Sequence, residues 1–235
     1  MTTELFQHST IGALMSGLFE GTLPLKNLLK KGNMGIGTLH GLDGELVIID
    51  SIPYQVTVDG AVNQLSGKEK TPYAAVVDYK AEDDLVIDDN VSDEALKAFL
   101  KEHFSSQNTF QAVKVTGTFK NILCRSVEKQ TKPYPRLTEV AADQAEFERE
   151  TVEGILVGFY TPAIFGAVSV PDFHWHFLSE GKDFGGHVLD FELEQGKISW
   201  QTIETLNQHF PLENKTFMEE EIDYENLAED IEAAE

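Results

Sequence analysis

Apolar positions at Ile11, Leu14, Met15, Leu18 and Phe19 recur at helical spacing, and Ser9 stands where an N-cap belongs. A second short helix is expected from Leu23, turning Leu25, Leu28 and Leu29 inward and stopping at Gly32. Neither helix can bury its stripe alone, so the pair is expected to pack on a sheet. From Gly35 the pattern changes to strands. Residues 45–50 and 54–58 are short β-rich runs joined through Ser51, Ile52 and Pro53 as a hairpin, and residues 73–79 form a further strand. Residues 82–92 read as an acidic loop, followed by a helix from Asp93 with Leu96, Phe99, Leu100 and Phe104 on one face. Residues 110–127 then read as two strands around Gly117.

Pro133 and Pro135 interrupt the pattern, which places a domain boundary nearby: residues 1–130 form one unit and residues 131–235 another. After a short helical stretch at 138–147, strand patterns return at 154–160, 173–178, 187–193 and 197–200. Ser199 or Trp200 opens a helix ending near Phe210. The expected fold class is α/β, of the α+β kind: a mixed-sheet N-terminal part with helices and a strand-rich C-terminal part. The last seventeen residues hold nine acidic side chains and no basic one, but Leu227 and Ile231 lie four apart. That small stripe allows the tail to dock as a helix and to carry Glu235, four residues further on, toward the body of the protein.

Forty acidic residues against eighteen basic ones give a formal charge of −22. Such a surface repels phosphate backbones and anionic headgroups, so neither nucleic acid nor a membrane is an expected partner. Cys124 is the single cysteine, so no intrachain disulfide can form. The first nine residues lack a basic stretch leading into an apolar one, and no apolar run is long enough to span a bilayer. The expected location is cytoplasmic.

Three of the seven histidines lie within fourteen residues, in F-H-W-H-F and G-G-H-V-L-D. Strand side chains alternate faces, so His174 and His176 share one side while Trp175 faces the other. The segment 179–186 holds three glycines and can return the chain, bringing His187 beside them on a neighbouring strand. Three imidazoles on rigid strands leave one or two positions open, the layout of a catalytic rather than a structural zinc site. Asp190 or Glu192 could orient a ligand from behind. Zinc is favoured because nothing in the sequence suggests redox chemistry, although imidazole accepts several metals. His174, His176 and then Glu180 also match the first motif of the cupins, a family of metal-dependent isomerases and dioxygenases. A cupin needs another histidine further along, and His209 falls inside the expected helix. A third reading is a non-catalytic acidic protein whose histidines hold adventitious metal.

Seven pieces, in order, carry a resemblance. They are L-M-S-G-L-F-E-G from Leu14, G-I-G-T-L-H-G-L-D-G-E from Gly35, K-T-P-Y-A from Lys70, and R-S-V-E-K-Q-T-K-P-Y from Arg125. G-I-L-V-G-F-Y-T-P from Gly154, F-H-W-H-F and G-G-H-V-L-D-F complete the set. Together they resemble the α-acetolactate decarboxylase family. The resemblance implies a two-domain α/β fold, a homodimer, a zinc ion on His174, His176 and His187, and conversion of 2-acetolactate to acetoin and carbon dioxide. It also implies a motif glutamate at Glu45, an active-site arginine at Arg125, a C-terminal glutamate at Glu235, and Thr38 near the substrate. Where many members read R-[TS]-V-P-R-Q, this chain has Glu128 and Lys129 in the proline and arginine positions.

Each implied group has a chemical use. Loss of carbon dioxide leaves an electron pair that must enter the adjacent ketone, and zinc is a Lewis acid where that charge develops. Arg125 offers a rigid fork of donors for a carboxylate or an enediolate oxygen. A general acid must then protonate carbon, and Glu45 and Glu235 are the candidates. The substrate contains its own electron sink, so no thiamine or pyridoxal cofactor is required.

Overall fold

The computed structural model describes residues 2–222 and 224–234. Two sheets organise these residues. The first has seven strands, in spatial order Thr205–His209, Glu4–His8, Ala74–Val77, Met34–Thr38, Glu45–Ile49, Ile52–Val56 and Val62–Gln64. Only its Thr205–His209 and Glu4–His8 pair is parallel. The second sheet is built from long antiparallel strands, Gln111–Ser126, Ala145–Thr161, Asp172–Ser179 and Gly185–Thr202. Asp172–Ser179 also pairs with Gly185–Thr202, matching His176 with His187, so the four strands close on themselves. Inside lie Phe119, Trp175, Phe177, Phe191 and Leu193.

The sheets pack face to face, with Ile36, Val47 and Val56 of the first against Ala112, Val157, Phe159 and Leu178 of the second. Residue 130 lies between two strands of one sheet, Gln111–Ser126 and Ala145–Thr161, which pair along almost their whole length. A division there does not separate the sheets. The chain leaves the first sheet after Val77, and Thr205–His209 returns to it.

Several local expectations change. The first helix spans Ile11–Met15 and is capped by Thr10, whose side chain accepts from the Ala13 amide; Ser9 sits before it at φ 61°. It stops short of Phe19 because Gly17 turns at φ 84°, where a Cβ would meet the Pro135 carbonyl oxygen at 2.6 Å. The next helix is Leu25–Leu28, with Leu23–Pro24 extended before it. The turn between Glu45–Ile49 and Ile52–Val56 is made by Asp50 and Ser51, both at positive φ. The acidic loop at 82–92 contains a strand, Asp83–Ile87, paired with residues 196–200 of the long strand. Its partner supplies the hydrogen bonds that its composition does not suggest, and charges such as Asp84, 3.0 Å from Lys197, suit an outer strand.

Gln111–Ser126 is one strand rather than two, and Gly117 continues it in register with Gly154 and Gly196 on its two neighbours. The helix expected at 199–210 is absent: the strand runs to Thr202 and a new one spans Thr205–His209. Thr202, Ile203 and Thr205 are β-branched, and the amides of Ile203 and Thr205 donate to the Phe110 and Thr3 carbonyl oxygens, which overrides the helical spacing of the apolar residues. The helix from Asp93 runs to His103 as expected, capped by Ser92. No helix among the described residues is long and apolar enough to cross a membrane.

Close strand approach makes Gly158 a sensitive point, because a Cβ there would lie 1.9 Å from the carbonyl oxygen of His174. Gly158→Ala should cost about 1–3 kcal/mol through forced backbone displacement. Urea unfolding of the metal-free protein measures this, and unchanged stability would mean that the two strands can separate freely.

Candidate metal centre

The three histidines come together as the alternation argument requires. His174 and His176 lie two apart on Asp172–Ser179, and His187 is in register with His176 across the closing strand pair. One ligand nitrogen from each falls within 4.8 Å of the others. His174 Nε2 and His187 Nδ1 are 3.1 Å apart. Nδ1 of His176 donates to the Leu46 carbonyl oxygen at 2.9 Å, which leaves Nε2 as the nitrogen carrying a lone pair. That Nε2 is buried without a hydrogen-bond partner among the described residues, with Glu45 Oε2 at 3.4 Å. A buried, lone-pair-bearing nitrogen that nothing donates to suits a metal ligand.

Burial first, and Arg125 second, hold His174 well below the ordinary imidazole range, at about 3. His176 is also held well below it, by burial and then by His174 and Arg125, against the opposing bond to Leu46. Both rings are therefore neutral near pH 7, the form that binds metal. Neighbouring Cys124 is fully buried; desolvation, with a smaller contribution from Glu45, raises its thiol pKa, so it is not a thiolate competitor.

One cavity joins these rings to the other residues of interest. Thr38, Glu45, Arg125 and the three histidines line its polar side. Ile11, Leu14, Leu42, Val127, Leu137 and Ala141 line the apolar side, and Tyr73 and Ala234 complete it. Arg125 is 6% exposed, lies in register with His187, and donates from Nη1 to Gln144 Oε1 at 2.8 Å. Gly186, at φ 137°, lets the adjoining strand pass close: a Cβ there would meet the Arg125 carbonyl oxygen at 2.5 Å. Thr38 donates its hydroxyl to the Gly44 carbonyl oxygen at 2.7 Å, which steadies the turn that presents Glu45. Glu235 lies outside the described residues, although Ala234, adjacent in sequence, reaches the cavity on the helix Leu227–Ala234.

Other candidates fall elsewhere. Asp190 accepts from the Phe191 amide and Glu192 from Asn90, and neither lines the cavity. The group behind His176 is the Leu46 carbonyl, a backbone atom that no side-chain motif announces. Glu180 lines a separate groove with Lys182 and Gln195. His209 is not helical; it pairs with His8, their Nδ1 atoms 2.8 Å apart, at the edge of the first sheet. Sequence reasoning also missed Gln144 and Tyr73, the latter inside the K-T-P-Y-A piece, and treated the Ile11 and Leu14 stripe only as core.

Comparison with known proteins agrees over the whole length. The family described as Alpha-acetolactate decarboxylase matches residues 5–224. An α-acetolactate decarboxylase of Lactococcus lactis subsp. cremoris is 42% identical over 233 residues, spanning 99% of this chain and 98% of its own. That of Brevibacillus brevis is 44% identical over 208 residues, 88% of this chain and 73% of its own. The crystal structure of α-acetolactate decarboxylase from Bacillus subtilis strain 168 superimposes with a TM-score of 0.96 at 31% identity, covering 99% of each chain. A Staphylococcus aureus structure, described as a protein of unknown function similar to α-acetolactate decarboxylase, gives 0.96 at 41% identity, covering 99% of this chain and 100% of its own.

His174→Ala, His176→Ala and His187→Ala should each lose bound metal while keeping a cooperative unfolding transition. Elemental analysis with thermal melts checks this; full metal content in any one of them would remove that histidine from the ligand set. In the metal-free protein the lowered His174 pKa also sets a sign. The unfolded chain takes up a proton near pH 6.5 and the folded one only near pH 3, so stability is present above 6.5. It should decline as pH falls through that window, and a flat profile from denaturant titrations would contradict the burial described here.

Proposed function

The chain belongs to the α-acetolactate decarboxylase family, and from that premise we propose that it is a zinc-dependent enzyme converting 2-acetolactate to acetoin and carbon dioxide. The observation that carries this reading is the cavity joining three converging imidazoles, two of them held neutral by burial, to Arg125 and Glu45. We assign His174, His176 and His187 as the zinc ligands. Imidazole accepts several metals, but a three-histidine set without thiolates or a redox partner suits zinc with an open position. When bound, the ion supplies Lewis acidity for the oxygens on which negative charge collects.

The residues of the chain do the rest. Arg125 binds the substrate carboxylate through its guanidinium donors, and the apolar wall of Ile11, Leu14 and Leu137 receives the methyl groups. Thr38 stands beside them at the substrate. The carbon–carbon bond to the carboxylate then breaks. Its electron pair forms the carbon–carbon double bond of an enediolate, and the former ketone oxygen takes the negative charge as carbon dioxide departs. A proton added to the carbon that lost carbon dioxide gives acetoin. Glu45, 13% exposed in its side chain and 3.4 Å from His176, holds a carboxyl at the cavity for that transfer. Glu235 is the second carboxyl that the family pattern implies. A cytoplasmic homodimer is part of the same reading.

The test is direct: purified protein, assayed for zinc and for acetoin formed from racemic acetolactate. Zinc-loaded protein that yields no acetoin would sink the proposal. Arg125→Lys keeps a charge but loses the fork, so zinc should remain while kcat/KM falls at least tenfold, about 1.4 kcal/mol of transition-state stabilisation. Unchanged kinetics would take Arg125 out of the reaction.

A further inference from the structure

Gln144 lies between the helix Leu137–Ala141 and the strand Ala145–Thr161, which flanks Arg125 on the side opposite the strand that carries His187. Its amide is held at both ends. Oε1 accepts from Arg125 Nη1 at 2.8 Å, and Nε2 donates to Glu146 Oε1 at 2.9 Å. Glu146 is itself in register with Arg125 across the two strands. Because Nε2 is committed to Glu146, the oxygen of the amide is the end that faces the guanidinium. A neutral acceptor thus stands where a carboxylate could have stood, in a chain of net charge −22.

This choice matters for an anionic substrate. During decarboxylation the negative charge leaves the carboxylate and arrives on the former ketone oxygen. A guanidinium free to rotate follows the carboxylate and stabilises the reactant; one held in place can favour the charge where it ends. A carboxylate in place of the amide would still accept from Arg125, with the exposed Glu146 turned away to solvent for want of a donor, but it would offset the charge of Arg125 and repel the substrate.

We propose that Gln144 is a positioning residue for Arg125: a neutral acceptor that fixes the guanidinium's rotation without adding a negative charge beside it. The proposal rests on the reading of Arg125 as the group that binds the substrate carboxylate. A double-mutant cycle on the zinc-loaded enzyme tests it. Gln144→Met should lower kcat/KM about tenfold or more in the parent, yet no more than about twofold in the Arg125→Lys background, because the two act as one unit. Gln144→Glu keeps an acceptor, so it should raise KM for acetolactate about tenfold or more while inhibition by acetoin, which is neutral, stays within about twofold. Zinc content and melting temperature should match the parent in Gln144→Glu, which decides the matter if Gln144→Met fails to fold. Equal losses in both backgrounds, or Gln144→Glu with parental KM, overturn the Gln144 proposal alone. Parental kinetics in Arg125→Lys overturn the reading of Arg125, and this proposal with it.

Discussion

The hydrogen bond from His176 Nδ1 to the Leu46 carbonyl crosses from the second sheet to the first, and most of the site depends on it. It selects the tautomer of a ring that is 1% exposed, so that the lone pair sits on Nε2 and faces the cavity. It also couples two strands that share no ladder. Leu46 follows Glu45, so the same bond places that carboxyl within 3.4 Å of His176. A backbone carbonyl in a sheet interior moves little, which makes it a firm support for a ligand that must not rotate. The two sheets thus contribute different parts, three imidazoles and the arginine from one, and the carboxyl with its supporting turn from the other.

Much of the ligand set was legible because strand geometry is periodic. Two histidines at i and i+2 must share a face, and a glycine-bearing return must bring a third alongside; closure of the second sheet does this through the His176 and His187 pairing. Arg125 and Glu45 were reached through family resemblance, since one arginine in sixteen residues of strand carries no signal of its own. Illegible were the features made by the backbone or by long-range pairing. The Leu46 carbonyl has no side-chain signature. Asp83–Ile87 is a strand only because residues 196–200 lie beside it, and Thr205–His209 only because Glu4–His8 accepts it at a distance of some two hundred residues. Gln144 lies within the stretch expected to be helical, and only its bonds to Arg125 and Glu146 single it out.

Charge sets the second constraint. A body of formal charge −22 repels any carboxylate approaching through solvent, though screening confines that effect to about 10 Å at ordinary ionic strength. Within the cavity the balance reverses locally. Arg125 is buried, His174 and His176 are neutral, and a divalent ion held on the three histidines would add positive charge in a region with little water to screen it. Imidazole ligands would leave such an ion its full charge, which carboxylate or thiolate ligands would reduce.

The apolar half of the cavity is made by elements that cannot stand alone. The helices Ile11–Met15 and Leu137–Ala141 have five residues each and Leu227–Ala234 has eight, all too short to persist in water without tertiary contacts. They fold against one another and against the sheets through Ile11, Leu14, Leu137, Val140, Leu227 and Ile231. The Arg136 to Asp230 ion pair at 3.2 Å joins two of them, but an exposed pair contributes at most about 1 kcal/mol. Apolar burial therefore holds the C-terminal helix, and with it the wall that Ala234 completes. The polar side of the site is fixed by strands and their ladders, whereas its apolar side depends on a few buried leucines and isoleucines.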